Sequence, residues 1–246
     1  MYLKTQGLVL RVTAYNDHDA LLTVLTKSDG KLTVKARGLR RKNTPLAAAC
    51  QLLTYSEFTL FEYRGMYTIN EAQAIELFHT LRKDLNKLAL GTYFAQVAEL
   101  LGQEDLPTPE LLSLTLNCLY AVDKLELPEM LVKAVFELRS ACLSGYMPEL
   151  SGCYKCGNTY ADRFNIISGR LECAGCREAD LPGLRMPLTP GALDAMRYIC
   201  FCDPQKLFAF ESGEESIRCL SGITESYLAS QLEHGFSTLD FYKSLI

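Results

Sequence analysis

Four cysteines stand at a spacing that can hold one metal ion: Cys153-x2-Cys156-x16-Cys173-x2-Cys176. Each C-x-x-C pair forms a tight knuckle that aims two thiolates at one point, and four soft ligands in a tetrahedron suit Zn²⁺. Gly157 and Gly175 permit the turns. Four thiolates leave no open coordination position, so the chemistry is that of structural zinc, one ion per chain, with a redox dithiol as the alternative. Between the pairs, Phe164-Asn165-Ile166 and Arg170-Leu171-Glu172 flank Ser168-Gly169 in the pattern of a hairpin, which makes a zinc ribbon. So short a segment cannot bury a core, and the metal would supply its folding energy. The other six cysteines (Cys50, Cys118, Cys142, Cys200, Cys202, Cys219) are expected to be small core hydrophobes.

The second chemical signal is electrostatic. The 246-residue chain is mildly acidic, at −4, yet residues 27–42 hold seven cations (Lys27, Lys31, Lys35, Arg37, Arg40, Arg41, Lys42) against Asp29 alone. Such a local excess is the footprint of a polyanion site, or else a solvated strand face. Lys31, Lys35 and Arg37 project from one strand face, and Arg40, Arg41 and Lys42 extend the stripe into the next loop. A stripe of this kind neutralises phosphates without reading bases. The nearby aromatics Tyr15, Tyr55, Phe58, Phe61, Tyr63 and Tyr67 could stack bases, but most are expected in the barrel core or against the bundle.

Enzymatic readings find little support. The three histidines, His18, His79 and His234, sit in no zinc-protease or deaminase pattern. No phosphate-binding loop, dinucleotide fingerprint or nucleophile elbow occurs. No apolar run approaches a membrane span, and Met1–Gly7 has no leader-like pattern, so a cytoplasmic protein without disulfides is expected.

The elements that must position these groups fall into zones. Residues 1–78 alternate as five short strands, with Lys27-Ser28-Asp29-Gly30 as a hairpin turn and Leu32, Val34 and Ala36 opposite Lys31, Thr33 and Lys35. Five strands in so few residues predict a small closed barrel of the OB type. Residues 79–150 and 178–246 change to helical period, with Thr108-Pro109 and Thr189-Pro190 as helix starts and Gly145 as a stop. The expected fold is α+β: a barrel followed by one helical bundle into which the ribbon, residues 151–177, is inserted.

This order resembles the RecO family of bacterial recombination mediators. The first match runs Tyr15-Asn16-Asp17-His18-Asp19, Leu25-Thr26, Gly30, and Lys35-Ala36-Arg37-Gly38-Leu39-Arg40-Arg41-Lys42. The second is Phe136-Glu137-Leu138-Arg139 through Gly145-Tyr146-Met147-Pro148-Glu149-Leu150, leading into Cys153, and the third is Glu225-Ser226-Tyr227-Leu228 followed by Phe241. Asp17 and Arg37 replace the family's usual Glu and Lys, and Ser237-Thr238 replaces Lys-Ser.

The resemblance implies a non-enzymatic, nucleoid-associated protein of DNA repair and recombination. It would bind single- and double-stranded DNA, anneal complementary strands, pair with RecR, engage the acidic C-terminal tail of single-strand-binding protein and help load RecA. A receptor for such a tail needs an apolar pocket beside cations, and Lys133, Phe136 and Arg139 on the helix after Pro128 are the residues expected to form it. The alternative is another zinc-ribbon nucleic-acid module, RNA-binding or transcription-associated.

Overall fold

The computed structural model describes residues 1–176 and 183–246 and divides them into two compact units, 1–126 with 236–246, and 127–235. In the first unit, β1 (Tyr2–Ala14), β2 (Ala20–Thr26), β3 (Lys31–Ala36), β4 (Tyr55–Tyr63) and β5 (Met66–Glu76) close a barrel in the order β1-β2-β3-β5-β4. All neighbours are antiparallel except β3 and β5. Closure works because β1 is long enough to pair with β2 through its second half and with β4 through its first. A register shift between Val9 and Arg11 bends it between the two partners. Inward-facing Val9, Leu22, Val34, Phe58, Leu60 and Ile69 fill the interior. The Asp29-Gly30 turn follows its residue chemistry: Gly30 has φ +69°, and a Cβ there would meet the Gln103 carbonyl oxygen at 2.6 Å.

Helices α1 (Leu85–Leu101), α2 (Pro109–Lys124) and α6 (Ser237–Lys243) belong to the barrel's unit. Asp84 caps α1 by accepting from the Asn86 and Lys87 amides. Gly91 lets α1 approach its neighbours, since a Cβ there would lie 2.9 Å from Leu53 and 3.2 Å from Leu119 of α2. Pro109 opens α2 as expected, but the Thr108 side chain makes no capping hydrogen bond, and its hydroxyl is buried without a partner.

The second unit holds α3 (Glu129–Leu143), α4 (Pro190–Phe201), α5 (Glu214–Leu232) and a four-stranded sheet. The sheet runs β6-β8-β7-β9 through Glu149–Cys153, Arg170–Glu172, Arg163–Asn165 and Arg185–Pro187. The helices divide between the two units: α1, α2 and α6 go with the barrel, and α3, α4 and α5 with the ribbon. Periodicity marks a helix's apolar face but not the element that covers it. The ribbon gains β9, which pairs with β7 beyond residue 177, and the expected boundary at 177/178 falls outside the described residues. Thr189 does cap α4, accepting from the Ala192 amide at 3.2 Å.

The middle of helix α3, residues 131–138, is buried throughout. Leu131, Val135 and Leu138 are buried, and so are Val132, Ala134 and Phe136. Lys133 and Glu137 are buried with them, as an ion pair of 2.9 Å one turn apart. Lys133 Nζ also meets Glu225 at 2.8 Å, and Thr224 Oγ1 of α5 donates to Glu137 at 2.7 Å. Burial alone would drive Lys133 neutral, yet the two carboxylates hold its pKa above the ordinary lysine value. Removing one partner of such a buried pair strands the other. Lys133→Ala is expected to cost about 3–5 kcal/mol in urea unfolding followed by circular dichroism. A loss under about 1 kcal/mol would be the behaviour of an exposed pair and would contradict the burial.

Candidate nucleic-acid interface and metal centre

The basic loop is built against the turn that joins β1 to β2. Asn16 Oδ1 accepts from the amides of His18 and Asp19 at 2.9 and 2.7 Å, which curls the turn and aims the Asp19 carboxylate at β3. There it accepts the Gly38 amide at 2.9 Å and pairs with Lys35 Nζ at 3.1 Å. The Arg40 amide donates to the His18 carbonyl at 3.0 Å, and its guanidinium to the Asn16 carbonyl at 2.6 Å. Gly38, at φ +66°, turns the chain out of β3 and lets the Arg41 amide reach back to its carbonyl. The Gly38 N–H above all, then the Asn16 amide and Lys35, hold the Asp19 pKa down to about 2.

The six cations of the expected stripe thus divide. Lys31 is half-buried and donates to the Glu99 carbonyl of α1 at 2.8 Å. Lys35 is paired with Asp19 and lies 4.7 Å over the Tyr15 ring. Arg40 is exposed but spends one donor on the turn. Arg37, Arg41 and Lys42 are exposed, and no side-chain hydrogen bond or ion pair holds them among the described residues. They form a ready set of cations on an ordered loop.

The aromatics differ from expectation. Phe58 is core, and Tyr55 and Tyr67 are half-buried, but Tyr15, Phe61 and Tyr63 are exposed. The alternation of β4 forces this: with Phe58 and Leu60 inward, Phe61 points out. It packs on exposed Tyr2 at 5.4 Å, and the Arg64 guanidinium lies 5.2 Å over the Tyr63 ring.

In the second unit, the Sγ atoms of Cys153, Cys156, Cys173 and Cys176 all lie within 4.8 Å of one another. Cys156 and Cys173 are 3.7 Å apart. Zn–S bonds of about 2.3 Å in a tetrahedron require an edge of about 3.8 Å, so the donor set fits zinc. Each knuckle is locked by its backbone: the Gly157 amide donates to the Cys153 carbonyl at 2.8 Å, and the Cys176 amide to that of Cys173 at 3.1 Å. Burial raises the Cys153 pKa, but the amides of Cys156, Lys155 and Cys173 outweigh it and bring the thiol to about 6. These four are the sole cluster of this kind among the described residues, and neither His18 nor His79 joins a comparable group.

Helix α3 does not offer the expected tail receptor. Lys133 is 3 % and Phe136 0 % exposed, so neither presents a surface to a partner. Arg139 is half-buried and donates to the carbonyls of Ile199 and Cys200 at 3.1 and 3.0 Å, closing the end of α4. The polar residues of α3 face other helices rather than water, because α4 and α5 pack against it.

The Asp19 anchor has a pH signature. A carboxylate whose folded pKa lies below its unfolded value of 3.8 favours the ordered loop above that pH, and the contribution is lost as pH falls through about 2. The Gly38 amide proton is expected to titrate by NMR with a midpoint near 2. A midpoint near 3.8, the ordinary carboxylate value, would show that the anchor does not form.

Comparison with known proteins points to one family. Residues 1–78 match the family profile Recombination protein O N terminal, and residues 82–240 match Recombination protein O C terminal. The chain is 35 % identical to the DNA repair protein RecO of Acetivibrio thermocellus, over 99 % of this chain and 97 % of that one. It is 29 % identical to that of Alkaliphilus metalliredigens over the full length of both. With that of Thermoanaerobacter sp. the identity is 28 % over 99 % of this chain and 98 % of the relative. A closed five-stranded barrel with an anchored basic loop, a ribbon with four clustered cysteines and both halves of the profile place the chain in the RecO family of DNA repair proteins.

Proposed function

We propose that the chain is a non-enzymatic recombination mediator that holds DNA by its phosphates on residues 37–42. The carrying observation is the trio Arg37, Arg41 and Lys42, exposed and unpaired on a loop whose backbone is already fixed by Asp19. Cations without base-reading neighbours bind every sequence alike, as strand annealing requires. Two complementary strands repel, and a shared positive surface lets them meet. Exposed Tyr15 and Tyr63 add faces on which unpaired bases stack. The four thiolates hold one structural zinc ion that fixes the ribbon. Partnership with RecR and with the tail of single-strand-binding protein, and the loading of RecA, follow from family membership. The tail's receptor lies elsewhere than at Lys133 and Phe136.

No helix among the described residues is long and apolar enough to cross a membrane, and a cytoplasmic role at the nucleoid follows from family membership.

Affinity for single-stranded DNA should fall with salt at a slope of about −0.7 in log–log terms per neutralised phosphate. The Arg41→Ala, Lys42→Ala double variant is expected to flatten that slope by about 1.4, equally for all sequences. Lys35→Ala should change it less, since Lys35 is already paired. An unchanged slope in the double variant would place the DNA elsewhere, and equal-length RNA bound as tightly as DNA would favour an RNA-binding module. Protein purified without chelator should carry about one equivalent of zinc, lost in Cys156→Ala together with the fold of the ribbon. Less than about half an equivalent in the wild type would contradict the zinc assignment.

A further inference from the structure

A second group of sulfur atoms lies in the 127–235 unit, separate from the four-cysteine cluster. Cys142 stands in the last turn of α3 and Cys200 in the last turn of α4, with their Sγ atoms 3.7 Å apart. Cys142 is half-buried, and Cys200 is 4 % exposed. Met147 Sδ lies 3.5 Å from Cys142 Sγ, and Met147 with Phe201 lines a surface groove of about 440 Å³. The core reading of these cysteines explains the burial of Cys200 but not a thiol–thiol contact with one member only half-buried.

We propose that Cys142 and Cys200 are a peroxide-reactive thiol pair, in which Cys142 is attacked first and Cys200 resolves it into a disulfide. The less buried sulfur is the one a small oxidant reaches, and the more buried sulfur is the one that must wait. The Cys200 thiol donates to Cys142 and lowers its pKa; burial opposes this, and the positive charge of Arg139 adds to it. Cys200 is pushed upward by the same contact, so one sulfur is favoured as the nucleophile and the other keeps the proton. In the first step the Cys142 thiolate attacks one peroxide oxygen. The O–O bond breaks, the leaving oxygen departs as hydroxide and takes up the proton that Cys142 lost on ionising to become water, and Cys142 becomes a sulfenic acid. In the second step Cys200 attacks the sulfenic sulfur, its proton leaves with the displaced hydroxyl as a second water, and the S–S bond forms. Two thiols are oxidised, and one peroxide is reduced to two waters. The sulfurs need to close from 3.7 Å to about 2.05 Å, a side-chain adjustment. The bridge would tie the ends of α3 and α4 together at the edge of the groove.

The test uses the zinc-loaded full chain, treated with limiting hydrogen peroxide and then alkylated. Trypsin with a Glu-specific protease separates Cys142 (residues 140–149) from Cys153 (residues 150–155), and Cys202→Ser removes the other cysteine from the Cys200 peptide. The expected result is a Cys142–Cys200 linked peptide, about 2 Da below the sum of its parts and reversed by dithiothreitol, formed while zinc remains bound. Cys200→Ser should instead accumulate a dimedone-reactive sulfenic acid at Cys142, and Cys142→Ser should give neither product. The proposal is overturned if zinc is released while Cys142 still alkylates fully. It is overturned equally if the linked peptide forms only between chains.

Discussion

The display of charge in the barrel depends on one carboxylate. Asp19 receives the Gly38 amide and Lys35 at hydrogen-bond distance and is held far below the ordinary carboxylate range by them. That contact decides which cations stay at home and which remain free. Lys35 is neutralised in place, Gly38 turns the chain, and Arg37, Arg41 and Lys42 are left facing water without partners. A loop ordered before it meets a polyanion pays less conformational entropy on binding than a floppy one. The same acidic residue thereby makes a basic surface more effective, although it lowers the net charge.

The second unit handles charge in the opposite way. Lys133 sits between two carboxylates inside the protein, where low dielectric makes pairing obligatory. The four thiolates repel one another unless a cation sits between them, and a ribbon of three- to five-residue strands has little apolar area to hold it together otherwise. Phe164 packs against Tyr227 of α5, with rings 5.3 Å apart, and joins the ribbon to that helix. Displayed charge in one unit and enclosed charge in the other follow from whether the element is an outer strand face or a helix surrounded by helices.

Much of this was legible in the residues. Alternation in β3 showed Leu32, Val34 and Ala36 inward, Asp29-Gly30 made its turn, and the cysteine spacing brought four sulfurs together. What was not legible was set by tertiary partners. Thr108 and Thr189 both precede a proline, yet only Thr189 caps: its backbone is extended, at ψ 152°, whereas ψ at Thr108 is 65°. Lys133 and Arg139 read as cations open to a partner because helical period cannot show that α4 and α5 cover them. The Asp19 anchor joins residues nineteen apart, and nothing local marks that carboxylate as the partner of Gly38. Three-residue β9 is too short to carry an alternation at all.

The most direct test of the central claim is lysine footprinting of the full chain with and without saturating single-stranded DNA. Lys42, exposed and unpaired, should label readily alone and be protected by DNA. Lys31 and Lys35, already bonded to Glu99 and Asp19, should label slowly in both states. Lys42 labelling unchanged at saturation, with protection falling instead on lysines of residues 127–235, would contradict the account.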